Sequence, residues 1–561
     1  MRTRVVCLLA FAFLPSIFPS HAISQSAPAS TTPATAPSAY AIPGCAVDRT
    51  QPSDADRALW NRHYADAERL YSDALAANAN STAAMAGLVH AVLGEGKQAD
   101  ALALAQKNTA AHPNDPLLLD ALGEVRFRRG EVHDAAVAIN QSSRLNPCIG
   151  RTHYEAARFL NLSGMYATAQ RELEMAHALA PGDLEISRLW VSTHAVPPTP
   201  EQRLETLKQR LSNPSLNEEQ KAATEAAIKA LESHQKGTCE LVTPVEHATV
   251  PILPIYRDPN DQKGSMYEAA VALEINGRKR RFEVDTGASG LVLNHAAAKA
   301  AGLIPEATLR AGGIGSDRNT VYVSHVDDIK VGPMEFRNCM VRVAGGSLDL
   351  APDVDGLIGP DVFSSYAVTL DYPSFEMRLD PLPPRPGENG IVKSLATSTE
   401  QETLSPADRA RDRYIAPAMK DWTPVFRAQH MLIVPTGIGD APTKLFLMDS
   451  GSQRSMISPE AAKEVTVVSK FTNSSVSGIN GKVQNIMVAE KVQLKFAGIG
   501  QQVNHMDAFD LGGISRAAGV DISGLIGFPA LRQLVISIDY RDNLVHVVYN
   551  PKKGYHAPDV Y

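Results

Sequence analysis

At 561 residues, 44% of them hydrophobic and 20% charged, the chain has the length of about three to four domains and enough apolar material to give each a core, which excludes a disordered or fibrous protein. Its 54 Lys+Arg are outnumbered by 61 Asp+Glu, giving a formal charge of -7 with no long run of one sign. That balance argues against a dedicated nucleic-acid binder, whose affinity rests on counterion release at a basic surface.

Residues 1–22 read as an export leader: Arg2 and Arg4, the apolar stretch Val5 to Phe18, then Ser20-His21-Ala22 with small residues at the cleavage site. The expected location is periplasmic or secreted. The apolar stretch is too short for a good membrane span, and no later run of about 18 apolar residues follows, so no membrane span is expected. Residues 23–53 read as a tether, because the Ser, Ala, Thr and Pro of Ser24 to Pro43 cannot bury enough surface to order themselves. Beyond the leader stand Cys45, Cys148, Cys239 and Cys339. An exported compartment permits disulfides, and the sequence does not separate the possible pairings. The four lie too far apart for a zinc site, and neither a metal nor a cofactor is expected.

Residues 54–235 read as helical. Ala67, Ala101, Ala135 and Ala169 recur every 34 residues, as do Gly96, Gly130 and Gly164, and Pro113, Pro147 and Pro181. Such a period marks a helix-turn-helix array in which small alanines let paired helices approach, glycine makes the turn and proline breaks the chain before the next pair. The pattern resembles a tetratricopeptide repeat (TPR) array of about four units. The resemblance implies an α-helical solenoid with a concave groove for a peptide or partner protein. The first unit departs from it, with Arg62 for Gly and Ala79 for Pro, as a capping unit would. The stretch Pro200 to Gln235 reads as a helical strut.

Beyond Lys236 the pattern turns to short apolar or β-branched runs punctuated by Gly, Asn and Asp, with Ile275-Asn276-Gly277-Arg278 reading as a hairpin turn. An order of elements then appears twice. In the first copy, an apolar strand Arg281 to Val284 runs into Asp285-Thr286-Gly287-Ala288-Ser289, then Leu291-Val292-Leu293, a glycine-rich stretch at Ala311-Gly312-Gly313-Ile314-Gly315, and Gly356-Leu357-Ile358-Gly359. The second has Lys444 to Met448, Asp449-Ser450-Gly451-Ser452, Met456-Ile457, Ser477-Gly478-Ile479-Asn480-Gly481 and Gly524-Leu525-Ile526-Gly527. Each copy ends on a strand pair, Tyr366 to Leu379 and Leu534 to Tyr549.

An isolated Asp-Ser/Thr-Gly is weak evidence; two, each after an apolar strand and each followed about 75 residues later by Gly-Leu-Ile-Gly, form a specific signal. The pattern resembles the retropepsin-like aspartic proteases and implies a multidomain α + β protein: a TPR solenoid followed by two mostly-β, retropepsin-like barrel lobes at residues 236–381 and 425–561. The resemblance makes Asp285 and Asp449 the catalytic pair. Thr286 and Ser450 would supply hydroxyls to a grip between lobes, and Gly287 and Gly451 would permit close backbone approach. Gly312, Gly313, Gly315, Gly478 and Gly481 are the flap candidates. Two carboxyls about 3 Å apart share one proton, the aspartic-protease pair being the standard example, and so can activate water without a covalent intermediate. Ala288 against Ser452 makes the two turns unequal, with Asp449 expected to ionise more readily.

Residues 382–424 read as a linker, about 40 residues and long enough to fold one lobe onto the other within one chain. His295, His325, His430, His505 and His546 lack ligand-like spacing and are expected in ordinary surface or core roles. The function expected is an exported aspartic endopeptidase acting on a polypeptide, with a protein partner in the TPR groove. The alternative is a non-catalytic scaffold gripping an extended peptide by strand addition.

Overall fold

The computed structural model describes residues 4–7, 11–13, 42–194, 200–234, 240–256, 266–303, 307–312, 320–387, 408–470, 475–478, 481–482 and 486–550, except single positions 244, 347, 349, 352 and 409. Of residues 1–22, only the short strands Arg4–Cys7 and Phe11–Phe13 are described. The chain divides into two compact units, one of helices comprising Leu14–Asn161 and Met165–Val196, and one comprising Pro197–Tyr561 with Met1–Phe13 and Leu162–Gly164.

In the helical unit, pairs of helices repeat: α1 Asp54–Trp60 with α2 Tyr64–Ala77, α3 Thr82–Gly94 with α4 Gln98–Ala111, α5 Pro116–Arg128 with α6 Val132–Leu145, and α7 Gly150–Leu162 with α8 Tyr166–Leu179, before α9 Leu184–His194. Local chemistry sets their starts. Ser53 and Asp56 form a reciprocal capping box on α1, Ser81 caps α3, and Asp115 accepts from Leu117 and Leu118 ahead of Pro116 at α5. The repeating alanines are buried at the pair contacts: Ala67, Ala101 and Ala135 are fully covered, and Ala169 nearly so. Gly96 and Gly130 turn the chain at φ 83° and 71°, and Arg62 holds the same left-handed turn at φ 62° in the atypical first unit.

The odd helices carry a buried ionic ladder along this repeat. Glu124 accepts from Arg151 at 3.2 Å and Arg158 at 3.4 Å and lies 2.6 Å from His90 Nδ1, and Arg151 also pairs with Glu185. Burial pushes Glu155 up to about 7 and Asp120 up to about 6. Of the pairings left open by the sequence, the structure takes Cys45–Cys148, closing a separation of 103 residues. Cys339 is also disulfide-bonded, while Cys239 lies outside the described residues. A closed loop of that length removes roughly 4–5 kcal/mol of denatured-state entropy. Cys148→Ser is therefore expected to lower the array's calorimetric transition by that order; an unshifted transition would mean the bridge does not restrain unfolding.

Helices α10 Pro200–Leu211 and α11 Glu218–His234 pair with each other and belong to the second unit. No described helix is long and apolar enough to cross a membrane. The rest of this unit is mostly strands in two lobes. Asn276 (φ 47°) and Gly277 (φ 74°) make the first-lobe hairpin, with Ile275 opposite Arg278, because both central residues of such a turn need positive φ.

Each lobe threads its Gly-Leu-Ile strand between the strand before the Asp turn and the strand after it. In the first, Gly356–Ile358 runs parallel to Phe282–Val284 and antiparallel to Leu291–Leu293. In the second, Gly524–Gly527 runs parallel to Phe446–Asp449 and antiparallel to Met456–Ile457. Glycine is required at the head of each: a Cβ would stand 2.1 Å from the Val292 carbonyl at Gly356 and 2.1 Å from the Phe446 ring at Gly524.

The lobes join through one sheet, in the order Thr423–Pro424, Leu544–Tyr549, Leu534–Asp539, Tyr366–Asp371, Glu376–Pro381 and Ala248–Tyr256. Val368 of one lobe pairs with Ile538 of the other, and Thr369 and Ser537 share a 2.8 Å hydroxyl contact beside them. The terminal strand pairs thus form a single interlobe sheet within the chain, whose buried faces merge into one core spanning both lobes. The described ends of the linker pack here too. The buried Arg385 reaches Asp542 at 2.7 Å and Asp408 at 2.6 Å, and the Tyr414 amide donates to Asp542.

Candidate active site

The threaded strands deliver both Asp turns to the lobe junction. Thr286 Oγ1 donates to the Met448 carbonyl at 2.8 Å and accepts from the Ser450 amide at 2.9 Å. Ser450 Oγ donates to the Val284 carbonyl at 2.7 Å and accepts from the Thr286 amide at 3.0 Å. Each hydroxyl therefore uses its single proton and a lone pair on the opposite lobe, and all these groups are buried.

That reciprocal lock brings Asp285 and Asp449 together. Both are fully buried, and Asp449 is the charged group that acts most strongly on Asp285. Asp285 accepts from the Gly287 amide at 2.8 Å, and Asp449 from the Gly451 amide at 3.1 Å. Burial first, and then the charge of Asp449, push the Asp285 carboxyl well above the usual carboxylate range, against the pull of the Gly287 and Gly451 amides. Gly451 is glycine for space: a Cβ there would lie 2.4 Å from Asp285 Cγ. The Ser452 hydroxyl donates to the Arg454 carbonyl at 2.7 Å.

Of the flap candidates, Gly312 ends the strand Ala307–Gly312, which pairs with Thr320–Val331; Gly313 and Gly315 lie outside the described residues. Gly478 and Gly481 face each other across the hairpin of Ser475–Gly478 and Gly481–Lys482.

Several residues around the turns had no motif to announce them. His430 is buried, with Nε2 3.1 Å from the Gly287 carbonyl. A carbonyl only accepts, so that nitrogen carries the proton. Burial pushes the imidazole down to about 4, keeping it neutral. Asp361 accepts from Ser289 Oγ at 2.8 Å and the Gly290 amide at 3.0 Å, while Arg342 donates to the Ser289 carbonyl. The strand before Asp285 is not the apolar run expected from the sequence: Glu283 is wholly buried within it. The discoverable signal was its spacing, two residues before Asp285 in the strand that leads into the Asp turn.

Residues 271–362 match the family model described as aspartyl protease. Part of the chain is similar to the crystal structure of a thermophilic TPR protein from Thermus thermophilus, at 21% identity over 28% of this chain and 92% of that one, with a TM-score of 0.22. It is likewise similar to the crystal structure of MamA, at 18% identity over 26% of this chain and 86% of that one, with a TM-score of 0.19. No curated protein matches. The chain is thus an array of repeated helix pairs followed by two mostly-β lobes with threaded strands, and the match to the aspartyl protease model falls in the first lobe.

Proposed function

We propose that the chain is an exported aspartic endopeptidase, with Asp285 and Asp449 as its catalytic pair and the TPR-type array holding a protein substrate or partner. The observation that carries this reading is the meeting of two buried Asp turns at the lobe junction, held by hydroxyls that each reach across to the other lobe. Two carboxyls so placed retain one proton between them. The charged carboxylate takes a proton from a bound water, whose oxygen attacks the scissile carbonyl carbon. The neutral carboxyl gives its proton to the carbonyl oxygen, and the tetrahedral adduct collapses as the amine leaves with a proton. Elevation of Asp285 fits the proton-holding role.

The pH dependence follows from that assignment. Asp285 is held above its ordinary range by burial and by Asp449, so the singly protonated pair should persist above the pH at which an exposed carboxyl ionises, about 4. A bell-shaped kcat/KM profile is expected, falling on the acid side as the second carboxyl protonates and on the alkaline side as the shared proton leaves. A rate that climbs steadily through neutral pH, as for a base acting alone, would contradict the shared-proton mechanism.

A further inference from the structure

Beside the pair lies a second set of carboxyls that the hydrolytic mechanism does not use. Glu283 stands two residues before Asp285, near the end of the strand Arg278–Val284 that leads into the Asp turn. Its neighbour across the sheet is Ala270, and two residues along that strand is Glu268. Glu283 is fully buried with neither carboxyl oxygen hydrogen-bonded, and Glu268 is buried with Oε1 accepting from Gln453 Nε2 at 2.7 Å. Gln453, four residues past Asp449, also takes the Tyr267 hydroxyl. Residues of both lobes thus shape the place where Glu283 sits.

The internal duplication supplies a control. Leu447 stands two before Asp449, its partner is Ile433, and two residues along is Met431. Where the first lobe has Glu268 and Glu283, the second has Met431 and Leu447 at the same register positions, and both are fully buried. The fold fills these positions with apolar side chains when left to packing alone. Placing a carboxylate there carries a desolvation penalty that packing does not return.

Among the described residues, the charged groups acting on Glu283 are the carboxyls Glu268, Asp285 and Asp449, and with burial they push it well above its usual range. Among the described residues no group of three or more His, Cys, Asp or Glu is arranged to hold a metal ion. What is missing is a positive charge on a long, slim stem, delivered next to the scissile bond.

We infer that Glu283, with Glu268 beside it, forms a specificity subsite that receives a lysine or arginine side chain flanking the scissile bond, while Leu447 and Met431 make the corresponding position of the other lobe apolar. The inference rests on the proposed hydrolytic function of Asp285 and Asp449. The cation pairs with Glu283 as that carboxyl gives up its proton to solvent, so Glu283 is neutral when the subsite is empty and ion-paired when it is filled. A leucine in the same place leaves the buried Glu283 carboxyl without a partner, which is how a polar subsite rejects an apolar side chain.

The test uses the full chain and peptides of one cleavable sequence varied to Lys, Arg, Leu or Glu on either side of the cut. For wild type, kcat/KM should favour Lys or Arg over Leu by about 30-fold or more at one of the two positions. The double substitution Glu268→Met, Glu283→Leu, which installs the second lobe's own residues, should bring that ratio to about 1 or below. Glu283→Gln, nearly isosteric, should reduce the ratio and keeps the test decisive if the double variant does not fold. Absence of a basic preference in wild type, or its survival in both variants, overturns the inference while leaving hydrolysis standing. If wild type cuts no peptide of any composition, the hydrolytic reading fails and takes the subsite with it.

Discussion

Replacing either Asp285 or Asp449 with Asn is expected to lower kcat/KM by at least about 10³-fold, because each single change removes both halves of the proton exchange. An Asn cannot take the proton of the water, and a lone remaining Asp beside it cannot be base and acid in the same step. The double variant should be no worse than either single one, as expected for groups that act as a unit. The same substitution should stabilise the fold. The folded-state pKa of Asp285 is raised above its unfolded value of about 3.9 by burial and by Asp449. The stability this group contributes is therefore complete below about pH 4 and is lost as pH rises through its folded value. Asp285→Asn removes that loss, so its melting temperature should exceed wild type at neutral pH by a margin that shrinks toward pH 4. An Asn variant that is both inactive and less stable at neutral pH would show that the carboxyl is held by favourable contacts rather than against its own desolvation.

Gly451→Ala should be nearly as damaging without touching an ionisable group. The added methyl would sit 2.4 Å from Cγ of the fully buried Asp285. Relief requires moving the turn or the carboxyl, and displacement of a reacting group by about 1 Å is worth about 10² in rate. The overpacking itself should destabilise the β unit by about 1–3 kcal/mol. Gly500→Ala is the matched control in the same lobe, since a Cβ there meets nothing within 4 Å. Equal activities for Gly451→Ala and Gly500→Ala would show that the two turns do not approach as described.

Both of these outcomes depend on features that a repeated motif made readable. The Asp turns, their hydroxyl-bearing neighbours and the Gly-Leu-Ile strands occur twice in one order, and the threading of Gly356–Ile358 and Gly524–Gly527 explains why their spacing to the turns is kept. The buried alanines and left-handed glycines of the helical unit were readable for a similar reason, since a period of 34 residues repeats one packing contact. What stayed hidden lies where contact depends on tertiary meeting rather than local pattern. His430 is 143 residues from Gly287 in sequence, and nothing near it announces that its ring will close on that carbonyl. Arg385 and Asp542 pair across 157 residues, so a segment read only as a linker turns out to anchor its ends on the interlobe sheet. Glu283 was masked differently, by its apolar neighbours Phe282 and Val284, which made its strand look ordinary. Comparison of the two copies, Glu283 with Leu447, was the means of seeing it.

The central claim is that two lobes of one chain assemble a single water-activating carboxyl pair. The most direct measurement is mass spectrometry of a random peptide library incubated with the full-length protein between about pH 4 and 7. New termini should appear with wild type and be absent with both Asp285→Asn and Asp449→Asn. A library left intact by wild type, or cleaved alike by wild type and both variants, would contradict it.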